Sequence, residues 1–157
     1  MASRSEGPHL AHRIGDSRFP LFSAAGSLGR PGRWHSGRLP VIYAAASFAG
    51  AMLERLAQVG TDALPLFTAS IIIRIPRGVA IEIALETDVP GWDAPDKRAS
   101  RAFGERWLRE RRTAVLTVPS VVARLERNLL INPAHADFQA ITATEPVPVL
   151  WDARLFR

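Results

Sequence analysis

Residues 69–75, Ala-Ser-Ile-Ile-Ile-Arg-Ile, constrain this chain more than any other segment. A dense apolar run rich in β-branched side chains and stopped by Pro76 reads as a strand. A second run, residues 79–85, carries polar Glu82 near its middle and also reads as a strand, with Gly78 closing a turn between the two. Residues 39–45 join β-branched and aromatic side chains to small ones, the pattern of a buried strand that enters a helix at an N-cap, Ser47. That helix is expected to run to about Gln58. At about 100° per residue, Ala49, Met52, Leu53 and Leu56 make one apolar stripe, which turns Glu54 away from the expected packing surface. Residues 96–111 place Ala99, Phe103, Trp107 and Leu108 at helical spacing among charges, and residues 113–118 return to strand. Beyond Pro119 the segments 129–131, 138–142 and 147–151 are short and apolar, with loop signals between them. Strands and helices mixed in irregular order point to an α+β fold.

A chain of 157 residues with 47% hydrophobic side chains has the material for one domain with a real core. Residues 1–10 read as a flexible N-terminal segment and residues 11–157 as the domain. There is no cysteine, and His9, His12, His35 and His135 lack ligand spacing, so no metal site is expected. The N-terminus has no apolar core of a signal peptide, and the longest nearly apolar run, residues 41–53, is too short to span a bilayer. The expected location is the cytoplasm, without a membrane partner. The net charge is +5, carried almost wholly by arginine, since Lys97 is the only lysine. Such a balance favours anionic partners: phosphate-bearing small molecules, nucleic acid or an acidic protein surface. The arginines are dispersed, and no helix-turn-helix, zinc-finger or RNP pattern is present, which counts against a nucleic-acid-binding module. Residues 26–29, Gly-Ser-Leu-Gly, match neither a dinucleotide fingerprint nor a phosphate loop.

Three stretches carry more information together than apart. The first is Gly32-Arg33-Trp34, then Gly37-Arg38-Leu39-Pro40-Val41-Ile42-Tyr43, then Leu53-Glu54. The second is Val118-Pro119-Ser120 followed by Asn128-Leu129-Leu130-Ile131-Asn132-Pro133-Ala134-His135, and the third is Asp152-Ala153-Arg154-Leu155-Phe156. With His12-Arg13-Ile14 before them, they resemble, in order and spacing, the RES family, named for its arginine, glutamate and serine. His35 stands where asparagine is frequent in that family, and Gln58 where histidine is.

The resemblance implies a single domain similar to ADP-ribosyltransferases, with a mixed central sheet and flanking helices. It implies NAD+ as substrate rather than cofactor, bound in a cleft and broken at the nicotinamide–ribose bond. It further implies a toxin of a toxin–antitoxin pair, held silent by a helix-turn-helix antitoxin of the Xre type, with DNA reached only through that antitoxin. The acceptor of the ADP-ribose stays open among water, phosphate and a protein, so ADP-ribosyl transfer is the alternative activity. A degenerate scaffold that only binds the antitoxin is disfavoured by the intact Arg33, Tyr43, Glu54 and Ser120.

Cleaving that bond develops positive charge on the ribose, which a carboxylate stabilises. Glu54 is the candidate, although helix geometry alone would make it a solvated surface glutamate. Arg13 and Arg33 offer planar forks for a pyrophosphate. Tyr43, the only tyrosine, reads as a ring stacked on nicotinamide or as a core tyrosine. Ser120 is placed to bond the carboxamide or a ribose oxygen, or else to cap a turn. The candidate set is therefore Glu54, Arg33 and Ser120 for catalysis, with Arg13, Arg33, Tyr43 and Ser120 for binding.

Overall fold

In the computed structural model, residues 2–4 and 8–157 are described. The described elements are β1 (Ala2–Arg4), β2 (His9–Asp16), β3 (Ile42–Ala45), α1 (Phe48–Val59), β4 (Thr68–Ile75), β5 (Ala80–Ile83), α2 (Arg98–Glu110), β6 (Val115–Pro119), β7 (Arg127–Ile131), β8 (Thr142–Ala143) and β9 (Val147–Pro148). The strands form one nine-stranded sheet in the order β1-β5-β6-β7-β3-β2-β4-β8, with β9 also on β4. Only β5 and β6 run parallel; the other pairs are antiparallel. The α+β class expected from the element order is the one observed.

Of residues 1–10, read from sequence as flexible, Met1 and residues 5–7 lie outside the described residues. Ala2–Arg4 pair with β5, and His9 and Leu10 already belong to β2. The run 69–75 is β4, buried along most of its length, and Gly78 takes a positive φ of 92° in the turn after Pro76. That turn is not a hairpin, because β4 and β5 sit five strand spacings apart in the sheet order. Laid flat, five spacings would cover about 24 Å. The chain from Ile75 to Ala80 reaches at most about 18 Å. The sheet must therefore curl, and its concave face closes on a core of Ala11, Ile42, Ile71, Ile73, Ile75, Ile81, Val115, Leu129 and Ile131. The segment 138–142 is split: Phe138 lies in a short 3-10 helix, Ala136–Ala140, stacked on Phe22, and Thr142 opens β8.

Alternation along the strands sends the intervening side chains to the convex face. There Leu116, Val118 and Leu130 pack under α2 with Trp34, Trp92 and Trp107, while Ile14 and Ala45 pack under α1 with Ala51. Tyr43 packs with the first group and Ala45, two residues on, with the second. The gap between the two helices thus falls over β3 and its neighbour β7, and there the cleft forms.

Candidate functional site

A cleft of about 500 Å³ opens on the convex face. Its lining includes Arg13, Arg33, Tyr43, Glu54, Arg55, Lys97 and Asn128. Glu54 is the only carboxylate among the described residues that line it, against four cationic side chains.

Helix α1 delivers Glu54 in a way that corrects the sequence reading. Only part of the expected apolar stripe packs: Met52 lies against Ile14, Ala45 and Ala51, but Leu53 is 44% exposed and Ala49 is exposed, while the buried positions are Gly50 and Ala51. Glu54 and Arg55 lie one turn beyond those two, so they face the sheet. The physical reason is close packing by small residues. A Cβ on Gly50 would meet Ser47 Oγ at 3.1 Å and Glu126 Oε1 at 3.2 Å, so a larger side chain would lift the helix start. Ser47 caps the helix as expected, its Oγ accepting the Gly50 N–H at 2.9 Å and donating to Glu126.

Glu54 Oε1 accepts two hydrogen bonds, from Ser120 Oγ at 2.8 Å and from Asn128 Nδ2 at 2.8 Å. Oε2 takes none among the described residues and is the free face of the carboxylate. Ser120 is buried; it donates to Glu54 and accepts the Ala123 N–H at 3.0 Å, so its hydroxyl is committed to orienting the carboxylate. Asn128, on β7 opposite Ala45 and Val118, is the second orienting donor. It lies within the motif quoted above, yet carries no role in the sequence reading.

Tyr43 lines the cleft, and its hydroxyl is fully engaged. It accepts the Trp34 N–H at 3.2 Å and contacts His35 Nδ1 at 2.7 Å. His35 Nε2 faces the Ser27 carbonyl at 3.1 Å and must carry the ring proton, so Nδ1 accepts from both Tyr43 and the Gly32 N–H. Burial pushes the phenol well above its ordinary pKa, which keeps it a neutral donor. The histidine that departs from the common family residue is thus a buried brace between Tyr43 and the segment carrying Arg33.

Helix α2 holds that segment from the other side. Arg101 Nε donates to the Gly32 carbonyl at 2.7 Å, and Glu105 Oε1 accepts the Ser36 N–H at 2.9 Å together with the Ser36 hydroxyl. Gly104 permits this approach, since a Cβ there would stand 1.7 Å from the Trp34 carbonyl oxygen. Arg33 itself reaches across, its Nη1 donating to the Trp92 and Ala94 carbonyls at 3.0 and 3.1 Å.

Arg13 sits where β2 and β3 part, the two strands sharing the single bridge His12↔Ala45. Its Nε donates to the Leu21 carbonyl and its Nη1 to the Tyr43 carbonyl, both at 2.8 Å. Burial first, then the charge of Arg55, pulls its guanidinium below the ordinary value. Arg55 was not singled out from sequence; the signal was the pair of small residues, Gly50 and Ala51, four positions before Glu54 and Arg55. The structure thus brings Glu54, Ser120, Tyr43, Arg13 and Arg33 around one cleft and adds Asn128 and Arg55.

The fold is similar to that in the crystal structure of the M. tuberculosis MbcT-MbcA toxin-antitoxin complex, with a TM-score of 0.71 over 92% of this chain and 85% of that one, at 17% identity. It is the ADP-ribosyltransferase-like α+β architecture expected from the resemblance. The RES domain profile matches residues 10–152, and the chain belongs to the RES-domain family. A Sphingobium protein named "Prs ADP-ribosylating toxin" is 41% identical over 139 residues, 86% of each chain. A Pseudomonas putida protein named "Toxin Res" is 35% identical over 143 residues, 89% of this chain and 96% of that one.

Proposed function

We propose that this chain is the toxin of a toxin–antitoxin pair and that it cleaves NAD+ at the nicotinamide–ribose bond. The observation that carries the reading is Glu54: one carboxylate, fixed through Oε1 by Ser120 and Asn128, with Oε2 free, in a cleft whose other charged lining groups are the cations Arg13, Arg33, Arg55 and Lys97. As the bond to the ribose C1′ breaks, its electron pair leaves with neutral nicotinamide and positive charge develops on the sugar. Glu54 Oε2 faces that charge, already oriented, so little reorganisation is needed at the moment of reaction. Water then adds at C1′, and its proton is released to solvent, giving ADP-ribose. The face of Tyr43 offers a surface for the nicotinamide ring.

The relatives named as toxins support the toxin reading, and the fold neighbour, taken from a toxin–antitoxin complex, supports a protein partner. That partner is expected to be a helix-turn-helix antitoxin. The name of the Sphingobium relative favours one alternative, transfer of the ADP-ribose to a protein. Both readings share the bond-breaking step and differ in the acceptor.

The test is incubation of the purified chain, freed of any antitoxin, with NAD+ labelled in the adenylate, followed by chromatography for nicotinamide. Nicotinamide with label in free ADP-ribose supports hydrolysis, and label retained on a protein band supports transfer. Absence of nicotinamide release in the presence of lysate proteins defeats both.

A further inference from the structure

Three guanidinium groups line the cleft, none of them in a salt bridge among the described residues, and two of the three, Arg13 and Arg55, feel each other's charge. Arg13 is held by the Leu21 and Tyr43 carbonyls through Nε and Nη1, which leaves Nη2 for a ligand. Arg55 makes no hydrogen bond to any described residue, and its Nε is the one buried side-chain nitrogen or oxygen among them that lacks a partner. The depression of the Arg13 pKa by Arg55 places the two charges within electrostatic reach of each other. The acid whose charge Arg55 feels, Asp16, is already occupied: Arg18 bonds its two carboxylate oxygens at 3.0 and 2.6 Å and holds it down to about 2. Glu54 is engaged through Oε1, and no ion pair joins it to Arg55.

A buried donor without an acceptor and two like charges without an ion-pair partner both favour an anion at this place. An anion with oxygens on two adjacent centres relieves both at once, because each guanidinium then takes its own oxygen. Arg33 shows neither sign: it has no unpartnered buried nitrogen and no charge coupling to Arg13, and its Nη1 ties the 92–94 loop to the Gly32–Ser36 segment through the Trp92 and Ala94 carbonyls. We infer that Arg55 and Arg13 form a two-arginine clamp for a diphosphate, with Arg33 bracing the cleft wall beside it. Assignment of that diphosphate to a dinucleotide rests on the function proposed above; the clamp itself rests on Arg13 and Arg55. The substrate class it selects is a nucleoside diphosphate derivative rather than a monophosphate.

The test is calorimetry with inorganic pyrophosphate, inorganic phosphate and ADP-ribose on wild type, Arg55→Gln, Arg55→Lys and Arg38→Gln, the last an exposed site with the same change of charge. Wild type is expected to bind pyrophosphate more tightly than phosphate. Arg55→Gln should weaken pyrophosphate and ADP-ribose roughly 10- to 100-fold, the worth of a charge-assisted contact. Arg55→Lys should fall between, keeping charge without the fork, and Arg38→Gln should stay within about twofold, as befits a screened surface charge.

Thermal melting adds a readout that a merely structural arginine would not produce. Without ligand, Arg55→Gln should melt at or above the wild-type temperature, because an unpartnered buried N–H and one of two neighbouring like charges have gone. Pyrophosphate should raise the wild-type melting temperature and leave that of Arg55→Gln unmoved. The clamp is overturned if wild type binds neither pyrophosphate nor ADP-ribose, if Arg55→Gln binds them as wild type does, or if free Arg55→Gln melts well below wild type. Clamp and NAD+ reading fail separately. Arg55-dependent pyrophosphate binding without nicotinamide release keeps the clamp and refutes the NAD+ reading, while NAD+ cleavage by Arg55→Gln at wild-type KM does the reverse.

Discussion

Replacing Glu54 by glutamine separates the charge of this side chain from its geometry. The amide oxygen of the introduced glutamine can accept both bonds that now reach Oε1, from Ser120 Oγ and Asn128 Nδ2 at 2.8 Å each, so the side chain keeps its place. What changes is their strength, since bonds to an ionised acceptor are about twice as strong as neutral ones; two of them give a stability loss of about 1–2 kcal/mol. For a chain of this size that is a fall in Tm of roughly 2–8 °C. The free oxygen becomes an amide NH₂ that offers nothing to a developing cation. Loss of one preoriented electrostatic group costs about 10²- to 10³-fold in kcat. The Kd for NAD+ should move by less than about threefold, because the charge that Glu54 answers arises only in the transition state. Nicotinamide release by chromatography, NAD+ calorimetry and a melting curve give the three numbers. Ser120→Ala supplies the counterpart: Asn128 still holds Oε1, so kcat should fall about tenfold, the worth of one hydrogen bond, rather than vanish. Turnover of Glu54→Gln at the wild-type rate would refute the assignment, and abolition of turnover in Ser120→Ala would refute a purely orienting serine.

Gly104→Ala, which in an exposed helix would gain about 1 kcal/mol, should here destabilise by about 1–3 kcal/mol, as overpacking does. Its Cβ would stand 1.7 Å from the Trp34 carbonyl oxygen, and KM for NAD+ should rise as the Gly32–Ser36 segment is displaced; an unchanged denaturation midpoint and KM would contradict the packing described. Burial lowers the pKa of His12 on the cleft wall, so below about 6.5 the unfolded chain binds the proton more readily. Stability from this group is therefore full above about 6.5 and lost as pH falls through that value toward the folded pKa. His12→Asn should flatten that part of the urea-midpoint profile, and an identical slope in the variant would remove His12 as its cause.

Elements whose faces are set by simple alternation or by large apolar residues were legible from sequence. β4 and α2 appear where residues 69–75 and 96–111 place them, and Ser47 caps α1. The turn at Gly78 was legible too, but not the curl it requires, because strand order depends on pairings such as Ile42↔Ile131 that no local pattern encodes. The candidate site was reached through its motif rather than through periodicity. Periodicity rewards bulk, and it turned Glu54 outward, whereas α1 packs through Gly50 and Ala51. Arg55 and Asn128 stayed hidden for the same reason: their placement depends on which face a close-packed helix presents and on which residue stands opposite Ala45.

The pairing of β3 with β7 also bears on when the chain becomes active during synthesis. Arg13, Tyr43 and Glu54 are made early, but the strand that completes the cleft floor, Arg127–Ile131, and the two donors that steady Glu54, Ser120 and Asn128, come from the last third of the chain. Contacts of such sequence separation form late and slowly, because the intervening loop must close first. A nascent chain ending before Asn128 thus carries the carboxylate without one of its supports and without β7 beside β3. Under the function proposed here, a nascent chain lacks the assembled site until β7 has been made, and an antitoxin present during synthesis would meet the cleft as it first forms.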